Sequence, residues 1–331
     1  MDPLRIVAIG GGTGLSTLLH GLKTYARAPA EAEITAIVTV TDDGGSSGRL
    51  RREFDVLPPG DIRNCLVALS EDEAVLARLF QYRFADGEGL KGHSFGNLFL
   101  TAMTHITGDF ARAVKVSSEI LATRGRIFPS TAHNVTLEAV LEDGSLVQGE
   151  TSISQSHARV RMLRLRPERC DPLPETLDAI RNADVITLGP GSLFTSVIPN
   201  LLVDGIPEAI RASAAVKAYF VNLMWQPGET IDFGASDHVE AILRHAGLGI
   251  VDVAVVNTRA IGETLRGKYE RERAQPVPND TARLREMNIE VVGADLLLEG
   301  DTVRHDPAAA AEIIMRLARA RRQRQLEKSV Q

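Results

Sequence analysis

Short runs rich in β-branched residues recur along this chain. Each is followed by turn residues and then by apolar residues at helical spacing, and this alternation constrains the fold more than any other feature. The runs fall at 6–9, 34–40, 184–188, 218–222, 253–257 and 289–292. Segment 34–40 is apolar along most of its length, which suits a strand covered on both faces. Strands of this kind separated by helices predict an α/β protein with a Rossmann-like, doubly wound, mainly parallel sheet. A chain of 331 residues, 44% hydrophobic and 24% charged, can bury the core that such a sheet needs.

The middle of the chain departs from that rhythm. Residues 61–82 and 96–122 read as helices, with Asp61 and Ser94 as candidate N-caps. Segments 135–140, 146–149 and 160–165 read as short strands around the turn Glu142-Asp143-Gly144-Ser145. A β-rich antiparallel insertion is therefore expected at about 126–170 within a single domain spanning 1–331. A closing helix is expected over 307–325, with Asp306 near its N-cap and Pro307 near its first turn.

The formal net charge of −6 argues against broad nucleic-acid binding. Five arginines lie between Arg316 and Arg324, and they read as the solvated end of the last helix. Cys65 and Cys170 are too few for a disulfide framework or a metal cage and read as small buried thiols. No apolar run reaches the roughly 18 residues needed to span a bilayer. The first residues lack the pattern of a secretory leader, so the expected location is the cytoplasm.

Three loops at strand ends carry the chemistry. The first, Gly10-Gly11-Gly12-Thr13-Gly14, separates a strand from a helix. Glycines there let backbone N–H groups approach an anion, and the helix N-terminus adds its unsatisfied donors. The spacing is neither the dinucleotide fingerprint nor a Walker loop, so it indicates an anion without naming one. The second loop, Thr41-Asp42-Asp43-Gly44-Gly45-Ser46-Ser47-Gly48-Arg49, places two carboxylates at a neighbouring strand end. There an acidic group can meet a ribose hydroxyl, a Mg²⁺ ion bridging phosphates or a substrate alcohol. The third, Gly189-Pro190-Gly191-Ser192-Leu193-Phe194-Thr195-Ser196, offers another anion or base-binding turn, and Asn222 and Asn257 end the next two strands. Gly92-His93-Ser94-Phe95-Gly96-Asn97 is a polar turn opening a helix, and no transition-metal motif or G-x-S-x-G elbow is present.

These loops, with Pro58-Pro59-Gly60-Asp61-Ile62-Arg63-Asn64, Ile106-Thr107-Gly108-Asp109 and Gln226-Pro227-Gly228-Glu229-Thr230, resemble the gluconeogenesis-factor (YvcK-like) family along nearly the whole chain. The acidic and Gly-Pro loops are more distantly similar to 2-phospho-L-lactate transferases. The nearer resemblance implies a regulatory protein that binds UDP-sugars such as UDP-N-acetylglucosamine. It also implies support of cell-wall synthesis and cell shape during gluconeogenic growth, with the cell-wall machinery as partner. The transferase resemblance implies a metal served by Asp42 or Asp43. Tyr269 and Arg304 match family positions at the sugar-nucleotide site. Some relatives carry a phosphorylatable threonine after the His-Asp pair, where this chain has Pro307.

The resulting assignment gives the diphosphate to Gly11, Gly12, Thr13 and Gly14, helped by Gly189, Gly191 and Ser192. Asp42 or Asp43 meets a ribose hydroxyl or a metal, with Ser46, Ser47 and Asn97 also in the nucleotide site, and Arg49, Tyr269 and Arg304 address the phosphate or sugar end. No cofactor is required, and a sugar nucleotide or an NAD-like dinucleotide is the bound ligand. Two further readings stand beside it, a Mg²⁺-dependent transferase acting on a nucleotide-activated small acid and an NAD-binding oxidoreductase. Base rates favour a symmetric homo-oligomer.

Overall fold

The computed structural model describes residues 2–27, 29–71, 75–156 and 158–329. Its strands are β1 Leu4–Gly10, β2 Ala32–Val38, β3 Arg126–Pro129, β4 Thr136–Leu141, β5 Leu146–Gln148 and β6 Val160–Arg166. They continue as β7 Val185–Leu188, β8 Val216–Phe220, β9 Val253–Asn257, β10 Glu290–Ala294, β11 Leu297–Glu299 and β12 Val303–His305.

Seven strands form one parallel sheet in the order β10-β9-β8-β7-β1-β2-β3. The chain builds outward from β1 to β3, then returns to the other side of β1 and builds outward again from β7 to β10. The reversal lies between β1 and β7, where Ile9 pairs with Leu188 and, on its other side, with Ile37. An open sheet places its ligand crevice beyond the strand ends at such a reversal. On one side of it β7 is buried from end to end, and on the other β1 is buried at every residue but Arg5, as the apolar runs predict.

Helix Gly12–Leu22 follows β1 directly and turns Leu15, Leu18, Leu19 and Leu22 inward at i, i+3, i+4 and i+7. It packs against Gly60–Leu69 and against the closing helix Pro307–Ser329. Asp306 caps that last helix, its Oδ1 accepting from the N–H groups of Ala308 and Ala309 at 2.8 and 2.9 Å.

The structure differs from the sequence expectation in four places. The segment 96–122 is two helices, Phe95–Thr107 and Phe110–Ile120. Gly108 ends the first in the left-handed region at φ 73°, and Asp109 caps the second by accepting from Arg112 N at 2.7 Å. The helix expected over 61–82 is likewise two, Gly60–Leu69 and Leu76–Gln81, with residues 72–74 of the expected helix outside the described residues. Arg126–Pro129 joins the main sheet beside β2, so the antiparallel sheet, ordered β5-β4-β6, begins at Thr136. Strands β11 and β12 form a hairpin that sequence reading misses, because each is only three residues long.

Both cysteines are free and buried. Burial pushes the Cys170 thiol up to about 11. Among the described residues, no single helix is long and apolar enough to cross a membrane.

Candidate functional site

The glycine loop and the Gly-Pro-Gly loop meet at the reversal between β1 and β7. A Cβ on Gly14 would lie 2.5 Å from the Pro190 carbonyl oxygen, a backbone atom that no rotamer change can move aside. Gly12 adopts φ 62°, which a side chain would strain. Gly11 is the N-cap of the following helix and offers its first turn no side-chain acceptor.

A cleft of about 540 Å³ lies over these loops. One wall is Gly11, Gly12, Thr13 and Gly14, and Gly191 and Ser192 face it. A second wall comes from the segment after β8, where Asn222, Trp225 and Gln226 line the cleft. Gln226 Nε2 donates to Ser192 Oγ at 2.7 Å, and Asn222 Nδ2 donates to Gln226 Oε1 at 2.7 Å. That chain of amides holds the wall in one arrangement while leaving polar edges toward a ligand. The C-terminal hairpin closes the far end with Arg304 and His305, beside Tyr269 of the helix Glu263–Arg271. Tyr269 Oη accepts from Val303 N at 2.9 Å, fixing β12 over the cleft.

Carboxylates stand beside the phosphate loop. Asp61, in the first turn of Gly60–Leu69, accepts from the Gly12 N–H. Its suggested N-cap role falls to Pro59, which precedes that helix. Burial first, and the Asp42 charge second, raise the Asp61 carboxyl to about 7. Glu150 lines the cleft and accepts from Thr41 Oγ1 at 3.3 Å. Burial pushes its carboxyl well up, and Asp61 and Asp42 add to that. Glu229 accepts from Phe194 N and Thr195 Oγ1, both at 3.1 Å, so it occupies donors that the third loop would otherwise turn to an anion. Burial raises Glu229 as well. Among the described residues, no group of three or more His, Cys, Asp or Glu is arranged to hold a metal. A Mg²⁺ ion here would take one or two of these carboxylates and complete its shell with ligand phosphates.

Of the residues expected at the site, Gly11, Gly12, Thr13, Gly14, Gly191, Ser192, Tyr269 and Arg304 line the cleft. Gly189 ends the β7 turn at φ 75°, with its N–H on Ile9 O. The acidic loop forms a layer beside the cleft instead. Asp42 Oδ1 accepts from Gly44 N at 2.9 Å, and Asp43 Oδ1 accepts from Thr151 N and Oγ1 at 2.9 and 2.6 Å. Ser46, Ser47 and Arg49 lie on the helix Gly45–Phe54. Ser46 Oγ pairs with His93 Nδ1 at 3.0 Å, Asn97 Nδ2 donates to Ser47 Oγ at 3.3 Å, and Arg49 Nη2 donates to Lys91 O at 2.8 Å. Asn257 turns away to bond Arg259 O at 2.7 Å.

Glu150, Glu229, Trp225 and Gln226 enter the cleft without having been singled out as site residues. Gln226 and Glu229 sit in a recognisable motif. Glu150 carries no local signal, because the antiparallel insertion brings it there.

A family model described as 2-phospho-L-lactate transferase CofD matches residues 6–297. The gluconeogenesis factor of Halalkalibacterium halodurans is 50% identical over 316 residues, covering 95% of this chain and 97% of that protein. The gluconeogenesis factor of Bacillus subtilis is 48% identical over 314 residues, covering 95% and 98%. A crystal structure of a Bacillus halodurans protein superposes with a TM-score of 0.92 at 49% identity, covering 95% of this chain and 100% of that one. A second crystal structure of a protein from that organism, at 50% identity, gives 0.91.

Proposed function

This chain belongs to the gluconeogenesis factor family, and on that premise we propose that it is a regulatory protein binding a UDP-sugar in the cleft between β1 and β7. One observation carries the reading: a glycine loop leading into a helix N-terminus lines a cleft whose other walls are aromatic and amide side chains. The backbone N–H groups of the glycine loop suit a diphosphate. Trp225, Asn222 and Gln226 offer a flat apolar surface and amide edges, the features that hold a base. In this reading the protein couples sugar-nucleotide level to cell-wall synthesis and cell shape during gluconeogenic growth, as a cytoplasmic homo-oligomer.

Calorimetry with UDP-N-acetylglucosamine tests it. Saturable heat is expected, and folded protein that gives none at about millimolar ligand would overturn the proposal.

The carboxylates beside the loop favour a second reading, a transferase that cleaves a nucleotide-activated small acid with Mg²⁺. Asp42 and Asp61 would hold the ion against the phosphates and stabilise charge on the leaving nucleotide. Mg²⁺-dependent release of nucleoside monophosphate, lost in Asp61→Asn, supports this reading. Turnover that is absent, or that survives the substitution, removes it.

A further inference from the structure

A second cavity of about 490 Å³ opens beside the helix Gly12–Leu22, along the face that carries Thr13, Ser16, Thr17 and His20. Thr13, Thr17 and Arg304 line both cavities, so the two meet across the first turn of the helix that follows the glycine loop. The linings differ in kind. The first contains Trp225 and Tyr269 and the carboxylates Glu150 and Glu229. The second has no carboxylate among its lining residues, and its one ring is the His20 imidazole. Its polar groups are Ser16, His20, Asn64 and Gln81, set over a floor that includes Val67 and Ala77. Asn64 Oδ1 accepts from Arg63 Nη2 at 2.7 Å, which fixes the side-chain amide in place.

We propose that this second cavity receives the non-nucleoside half of the ligand, an uncharged hydroxylated group joined to the distal phosphate. The inference rests on the sugar-nucleotide reading above. The aromatic cavity takes the base, the shared helix turn takes the diphosphate, and Arg304 stands where the distal phosphate passes from one compartment to the other. A ring of hydroxyls with apolar faces matches a wall of short hydroxyl and amide side chains over aliphatic carbon. Asn64 and Gln81 are then the residues that separate a sugar nucleotide from the bare nucleoside diphosphate.

The test measures UDP and UDP-N-acetylglucosamine separately, by calorimetry, on the full chain. The wild type is expected to bind the sugar nucleotide roughly tenfold more tightly than UDP. Ala77→Phe, which fills the cavity, is expected to bring the sugar nucleotide down to the affinity of UDP while leaving UDP unchanged. Asn64→Ala, which removes a donor without adding bulk, is expected to lower only the sugar-nucleotide affinity, and its circular dichroism reports whether the fold is intact. If UDP and the sugar nucleotide bind the wild type equally, or if both variants keep the preference, the second cavity takes no part in recognition and the proposal falls. If the wild type binds neither molecule, the sugar-nucleotide reading falls and takes this inference with it.

Discussion

At the scale of single residues, Asp61 is the most informative group in the molecule. Its carboxyl accepts a phosphate-loop N–H and is raised to about 7 from an ordinary 3.8 by burial and by Asp42. The folded state therefore binds a proton more tightly than the unfolded state does. Stability from this group is present at low pH and is lost as pH rises from about 4 through about 7. Asp61→Asn keeps the shape of the protonated acid and removes the titration. Relative to wild type, the variant should gain in urea midpoint between about pH 5 and about pH 8. Equal differences at the two pH values would show that Asp61 does not titrate in this window. Gly14 makes a second residue-scale case. Because its missing Cβ leaves room for the Pro190 carbonyl, Gly14→Ala must separate the two loops. A cost of about 2 kcal/mol and weaker nucleotide binding are expected, checked by urea denaturation and calorimetry.

At the scale of elements, the closing helix is anchored more firmly than its composition suggests. The arginines between Arg316 and Arg324 read from sequence as a solvated end. In the fold, Arg321 and Arg322 both reach the buried carboxylate of Asp184, Arg321 at 3.0 Å, and Arg5 N donates to the same group at 2.8 Å. Asp184 thus ties the helix to the start of β1 and the entry to β7, next to the sheet reversal. Removing it leaves two partly buried guanidiniums without their carboxylate. Asp184→Ala should cost about 3 kcal/mol by urea unfolding, whereas Arg319→Ala, which loses only an exposed pair with Glu31, should cost under about 1 kcal/mol. Comparable costs for the two would contradict the anchoring role. The broken helices carry the same lesson. Gly108 and Asp109 are stop and start signals in plain sight, but apolar periodicity that continues across them masks the break.

At the scale of the whole molecule, two histidines act against the fold in acid, in the direction opposite to Asp61. His238 is buried and His305 half-buried, His238 bonded to Gly234 O at 2.8 Å and His305 to Val221 O at 3.2 Å, and desolvation lowers both to about 4. The unfolded chain binds these protons more tightly, so their contribution to stability is full above about 6.5 and lost as pH falls toward 4. His238→Gln should flatten the loss of urea midpoint below about pH 6; an unchanged slope would assign acid lability elsewhere. The sequence by itself determined the parallel sheet, because apolar strands alternating with helices can be buried only in that layered form. It also determined the glycine turn between β1 and its helix, because strand, glycines and helix are contiguous and their geometry is local. Tertiary structure alone decided which groups share the cleft. Glu150, Gln226, Tyr269 and Arg304 lie far apart in the chain and meet only because β1 and β7 are neighbours and the insertion and hairpin fold back over them. It also set Asp43 beside the cleft, since its bond to Thr151 depends on how the antiparallel insertion docks, whereas the Asp42 bond to Gly44 is local. Local spacing specifies backbone geometry, whereas the meeting of distant side chains depends on packing that no local pattern encodes.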